Sequence, residues 1–161
     1  MKYEVEIDLP VAVGAVLPYI EDLTKYPLWM GLVHAVGPAD DGGGHQVELR
    51  GKIGPFARSK RLRMIRVEQP DPHHIRFERH ETDGRSHGQW VLQATLSSNS
   101  TDSDIANSDI SNSDVICPQS GTRLFITLNY EGSLWSSVVE RVLADEIERS
   151  KSRLRDLLLS S

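Results

Sequence analysis

The sequence predicts one α+β domain spanning residues 1–161, in which a curved antiparallel sheet of about six to seven strands is closed by a long C-terminal helix, with two short helices after the first strand. Three observations predict it. Apolar residues recur at every second position through most of the first 130 residues, the period of half-buried strands. From Trp135 to Leu158 they recur instead at three- and four-residue steps, the period of an amphipathic helix. The length, 161 residues, is enough for one substantial core and too short for two ordinary domains.

The elements follow in order. In residues 2–8, Tyr3, Val5 and Ile7 alternate with Lys2, Glu4, Glu6 and Asp8, which gives a strand with one wet face. Pro10 ends it. Val13, Val16, Leu17, Ile20 and Leu23 then mark a helix that Pro18 keeps short, kinked or late-starting. Tyr26-Pro27-Leu28-Trp29-Met30 reads as a second helical piece. Residues 31–37 are a weak strand, and Asp40 to Gly44 a turn. Val47 and Leu49 lie on the next strand, and Gly54-Pro55 marks the turn after it. Residues 56–68 form a long strand of two-way facing: either Leu62 and Met64 point inward, or Ile65 and Val67 do, and a bulge would reconcile them. Pro70-Asp71-Pro72 turns the chain into a strand with Ile75, Phe77, Arg79 and Glu81 on one face. Asp83-Gly84 signals a hairpin. Trp90, Leu92, Ala94 and Leu96 line the next strand, and Leu124, Ile126, Leu128 and Tyr130 the last. Ser137-x-x-Glu140 has the form of a capping box for the long helix, and Ser133 would cap an earlier start.

Between the last two strands, residues 97–118 are a low-complexity insertion. Three units, Ser103-Asp104-Ile105-Ala106-Asn107, Ser108-Asp109-Ile110-Ser111-Asn112 and Ser113-Asp114-Val115-Ile116-Cys117, resemble the pentapeptide-repeat family, but three are too few to bury a core of their own. A mobile polar loop lengthened by repeat expansion is the expectation.

Composition narrows the function. A net charge of −5 argues against nucleic acid and anionic membranes as partners. The one cysteine, Cys117, excludes an internal disulfide and has no nearby base to activate it. Acids in Met1 to Glu6 stand where a secretory leader would need an apolar run, and no stretch approaches the roughly 18 apolar residues that span a bilayer. The expectation is a soluble cytoplasmic protein with no stable membrane insertion, of open oligomeric state. His73, His74, His80 and His87 come with no cysteine or clustered carboxylate to complete a zinc set, so neither a metal nor a cofactor is expected. No phosphate loop, metalloprotease motif or nucleophile elbow is present, and no catalytic residue is assigned.

The stretch Val16-Leu17-Pro18-Tyr19-Ile20-Glu21-Asp22-Leu23-Thr24-Lys25-Tyr26-Pro27-Leu28-Trp29-Met30 resembles the opening motif of the SRPBCC superfamily, the START-like, birch-pollen-allergen-like helix-grip group that includes polyketide cyclase/dehydrase and lipid-transport proteins. Residues 130–158 resemble that group's closing strand and helix. The resemblance implies a helix-grip fold with an apolar cavity, since a strongly curved sheet is not filled by one helix stripe. Carried onto this chain, it implies cavity walls of Phe77, Arg79, Trp90, Leu92, Leu124, Ile126 and Leu128 from strands and Val139, Val142, Leu143 and Ile147 from the helix, with Trp29 and Met30 near the mouth. The implied function is carriage or sensing of a hydrophobic small molecule: a lipid, a polyketide-like compound or an isoprenoid. The first alternative is a cyclase, aromatase or dehydratase acting on a polyketide-like substrate. The second is a protein-binding adaptor using the basic run Arg58, Lys60, Arg61, Arg63 and Arg66, a run that also reads as an anionic-lipid patch or as a solvated face paired with neighbouring acids.

Arg79 carries the sharpest alternatives. Facing inward, it would anchor a ligand carboxylate or keto oxygen, balanced in the free state by Glu81 or a backbone carbonyl. Facing outward, Arg79 and Glu81 would be an exposed pair.

Overall fold

A computed structural model describes residues 2–39, 42–53, 56–99, 121–131 and 137–160, with the backbone alone at 52–53, 56–58 and 137–143. Among the described residues ten elements follow one another: β1 (Lys2–Leu9), α1 (Val13–Glu21), a 3-10 turn (Leu23–Leu28), β2 (Val33–Pro38), β3 (His45–Ile53), β4 (Phe56–Val67), β5 (His74–Arg79), β6 (Trp90–Asn99), β7 (Gly121–Tyr130) and α2 (Ser137–Leu159). The seven strands form one sheet in the order β1-β7-β6-β5-β4-β3-β2, and every neighbouring pair is antiparallel.

Register carries the alternation of the sequence across the whole sheet. Val5 stands opposite Ile126, Ile126 opposite Ala94, and Ala94 opposite Ile75, so one apolar row crosses four strands. A second row runs Tyr3, Leu128, Leu92 and Phe77. The opposite face is polar, as Lys2, Glu4, Glu6 and Asp8 of β1 require. α2 packs on β1 and on β3, which four other strands separate in the sheet. One helix rests on both flanks because the sheet curls around it into a half-barrel.

β4 faces one way throughout. Leu62 and Met64 are buried, and its pairing with β3 runs unbroken from Phe56 to Met64. No bulge reconciles two facings there; the irregularity lies in β2, between Val33 and Ala35. Lys60 and Arg66 share the inward side of β4, while Arg61 and Arg63 point outward, so the basic run is divided between the two faces. The side chain of Arg58 lies outside the described residues.

The segment after β1 accommodates both of its prolines. Pro18 sits inside the nine-residue α1, which buries Val16 and Ile20. Pro27 lies in the 3-10 turn, where the expected second helical piece forms at Leu23–Leu28 and stops before Trp29. Asp22 starts that turn: its carboxylate accepts from the Thr24 amide at 3.0 Å and the Thr24 hydroxyl at 2.6 Å. These bonds hold the Asp22 carboxyl below its ordinary value.

Asp83-Gly84 does not make a two-residue hairpin. Gly84 has the positive φ expected of it, 72°, but β5 ends at Arg79 and β6 begins at Trp90, so the pair lies in a ten-residue connection, 80–89. Pro70-Asp71-Pro72 turns the chain as expected, the Asp71 carboxylate accepting from the His73 amide at 2.8 Å. Residues 97–99, expected in the insertion, continue β6. The pentapeptide-like units, the Gly54-Pro55 turn and the capping side chains Ser137 and Glu140 lie outside the described residues. No helix among those described is long and apolar enough to cross a membrane.

Candidate functional site

Burial along β1 shows where the space is. Ile7 and Leu9 are buried, while Tyr3 and Val5, on the same inward face, are half-buried. Leu92 and Leu128 beside them are half-buried as well, although both are central in the sheet. Central apolar side chains remain accessible only next to a void. The void is an apolar cavity of about 100 Å³ between the middle of the sheet and α2.

Each wall comes from a different element. β1 contributes Tyr3, Val5 and Ile7; β6 and β7 contribute Trp90, Leu92, Ile126 and Leu128. β3 and β4 face them with Val47, Leu49, Leu62 and Met64. Leu23, Tyr26, Trp29, Met30, Leu32 and Val33 close one side, and Glu146, Ile147 and Ser150 of α2 form the roof. The Tyr26–Trp29 segment is held by ring packing and two hydrogen bonds. The two rings lie 5.0 Å apart, the Tyr26 hydroxyl donates to the Ile20 carbonyl at 2.9 Å, and the Trp29 indole donates to the Tyr19 carbonyl at 3.3 Å. Burial pushes the Tyr26 phenol above its usual range, offset in part by the nearby Arg66 charge.

Of the expected wall residues, Trp29, Met30, Trp90, Leu92, Ile126, Leu128 and Ile147 lie around the cavity. Phe77 and Leu124 do not. Both are buried in the solid core beyond it, Phe77 edge-on to Tyr26 at 6.3 Å. The side chains of Val139, Val142 and Leu143 lie outside the described residues. The walls from β1, β3 and β4 were missed. Their alternation was visible, but the curl that brings them opposite β6 is not encoded in any single strand.

Arg79 stands apart from the cavity lining. Its Nε donates to Glu81 at 2.7 Å, Nη1 to the Gly88 carbonyl at 3.3 Å, and Nη2 lies 3.1 Å from His87 Nδ1. Glu81 also accepts from the Arg63 amide at 3.2 Å, and the Arg63 guanidinium donates to the His80 carbonyl at 2.8 Å. His87 Nε2 in turn meets the Asp83 carboxylate at 2.8 Å. A guanidinium only donates, so His87 Nδ1 must accept and Nε2 carries the proton. The expected balancing groups, Glu81 and a backbone carbonyl, are both present. The pair is partly buried rather than exposed, and it ties connection 80–89 to β4. Among the described residues no group of three or more His, Cys, Asp or Glu could hold a metal ion.

No protein-family model matches the chain, and no curated protein matches it. Solved structures do. A START superfamily protein from Mycobacterium smegmatis superimposes with a TM-score of 0.60 at 11% identity, over 99% of this chain and 97% of that one. The chain has the START-like fold. A conserved protein from Geobacillus kaustophilus shares this START-like arrangement with a TM-score of 0.69 at 11% identity, over 100% and 97% of the two chains. A protein from Thermus thermophilus shares it with a TM-score of 0.60 at 14% identity, over 99% and 98%. At these identities the likeness is one of fold alone.

Proposed function

We propose that this chain binds a hydrophobic small molecule in the cavity between sheet and α2, as a carrier or sensor. The observation that supports it is the apolar void itself. A core of this size packs to the density of an organic crystal when nothing need enter it. Here central side chains of β1, β6 and β7 are left without neighbours on one side among the described residues. A START superfamily protein among the structural neighbours is consistent with this reading.

A volume of about 100 Å³ suits a small ring or a short branched chain, of the kind a polyketide-like or isoprenoid fragment presents. A lipid-length ligand requires α2 to lift from the flanks on which it rests. Binding is favoured over cyclisation because Glu146, the one carboxylate lining the cavity among the described residues, is already held by Arg153 at 3.0 Å. Native mass spectrometry of freshly purified protein tests the proposal. A bound apolar molecule of stoichiometric amount is the expected result. A protein that carries none, and takes up none from a panel of terpenoids, short fatty acids and aromatic polyketides, overturns it.

A further inference from the structure

We infer that the cavity is built for an apolar monocarboxylate, oriented with its carboxylate towards Trp90 and the Lys60 ammonium beyond it. The inference rests on the cavity being a ligand site, and it begins from the hydrogen-bonding state of the cavity's polar wall atoms. Trp29 and Tyr26 donate to backbone carbonyls, and the Ser150 hydroxyl donates to the Glu146 carbonyl at 2.7 Å. Trp90 also lines the cavity and is 5% exposed, yet its indole N–H is buried with no acceptor among the described residues. Such a donor is costly to leave empty, and native interiors rarely do so. A ligand atom that accepts would complete it.

The charge around Trp90 decides what kind of acceptor. One face of the indole stacks on Tyr130, with centroids 5.1 Å apart. The Lys60 ammonium lies 5.4 Å from the indole centroid. Lys60 shares the inward side of β4 with Leu62 and stands opposite Leu49, and both of these line the cavity. Arg79 follows the Glu78–Val91 pair on β5, so it flanks Trp90 across the strands. The Arg79 charge is matched by Glu81, whereas no carboxylate among the described residues lies within ion-pair reach of Lys60. Desolvation, with the Arg79 charge second, pushes the Lys60 ammonium below its ordinary value, and the Glu81 charge opposes this only in part. Trp90 in the cavity wall therefore carries an unused donor, and Lys60, beside the lining residues Leu49 and Leu62 and over the Trp90 ring, carries a cation with no carboxylate among the described residues in ion-pair reach. A ketone or alcohol would satisfy the first and leave the second. A carboxylate satisfies both, through a charge-assisted bond from the indole and attraction to the ammonium.

The test compares hexanoate, 1-hexanol and hexylammonium, which share an apolar chain and differ in head charge. Binding is followed by NMR titration of the intact protein, using the Trp90 indole N–H resonance as the local reporter. The expected result is hexanoate binding about tenfold tighter than 1-hexanol, with hexylammonium weakest. In Lys60→Met the hexanoate preference should fall to about twofold or less while 1-hexanol binding is retained. Trp90→Phe, with folding checked by circular dichroism, should weaken hexanoate more than 1-hexanol. Equal binding of hexanoate and 1-hexanol in the cavity overturns the carboxylate inference and leaves the cavity reading standing. An unchanged preference in Lys60→Met also overturns it. If none of the three shifts a cavity resonance, both readings fall together.

Discussion

Arg79 and Glu81 are 8% and 18% exposed at their side chains and 2.7 Å apart, and together they fasten the outer end of β5 to β4. Removing one partner of such a pair leaves the other buried and uncompensated. Arg79→Leu is therefore expected to lower stability by about 3 kcal/mol in urea unfolding, whereas Arg79→Leu combined with Glu81→Leu should recover more than half of that. Equal losses in the single and double variants would show that the pair is not coupled. The sequence left the facing of Arg79 open between an inward anchor and an exposed pair with Glu81; the structure sets it on the inward side opposite Met64 and still pairs it with Glu81. What the sequence could not show is that residues 80–89 fold back to supply Gly88 and His87 to the guanidinium, because that path depends on a connection with no periodic pattern. Trp90 was legible as an inward residue. The empty N–H it carries was not, since a missing partner is a property of three-dimensional surroundings.

At the scale of elements, two positions fix how short connections are held. Asp22 caps the 3-10 turn through Thr24, and this anchors the Tyr26–Trp29 wall of the cavity. Asp22→Ala should lower stability by about 1 kcal/mol near neutral pH. The folded-state pKa of Asp22 is depressed, so its contribution is fully present above the unfolded value of 3.8 and is lost as pH falls through the lower folded value. The gap between wild type and Asp22→Ala in thermal midpoint should accordingly close in strong acid; a constant gap would assign the effect to the bond geometry alone. Gly88 is the second position. A Cβ there would run into the backbone carbonyl of Glu131, where connection 80–89 passes the end of β7. Gly88→Ala should cost about 1–3 kcal/mol, measured in the same unfolding assay, because the obstacle is backbone and cannot swing aside. β4 shows why facing was ambiguous in sequence. Its inward side carries Lys60 and Arg66 at either end of Leu62 and Met64, which hides the apolar pattern. The structure accepts both charges, one over the Trp90 ring and one near the carbonyl of Glu21 at 3.5 Å, where α1 ends.

Across the whole molecule, the curl of the sheet decides what alternation alone leaves open. The rows from Val5 to Ile75 and from Tyr3 to Phe77 could be read strand by strand, and the long closing helix was plain from its stripe. Which rows end in solid core and which border space depends on where α1 and α2 lie over them. α1 packs on β6 and β7, towards the Leu96 and Leu124 end, and α2 bridges β1 and β3. Thus Leu124 is fully buried while Leu128, four residues along the same strand, borders the void. Leu128→Trp should fill that void. The variant is expected to match or exceed wild-type stability by up to about 1 kcal/mol and to lose uptake of small apolar ligands, read by thermal shift with and without ligand. A large destabilisation would mean the space is already committed to packing. The open sheet also has two unpaired rims, β1 and β2, among the described residues. At the β2 rim the offset between Val33 and Ala35 and the terminal Pro38, which has no amide hydrogen, break up the row of donors that another chain would need. At the β1 rim Arg155 of α2 already occupies the Asp8 carbonyl at 3.2 Å, and four charged side chains line the outer face. Both rims are thereby poor templates for strand addition, and the open sheet is kept from zipping into fibrils with its neighbours.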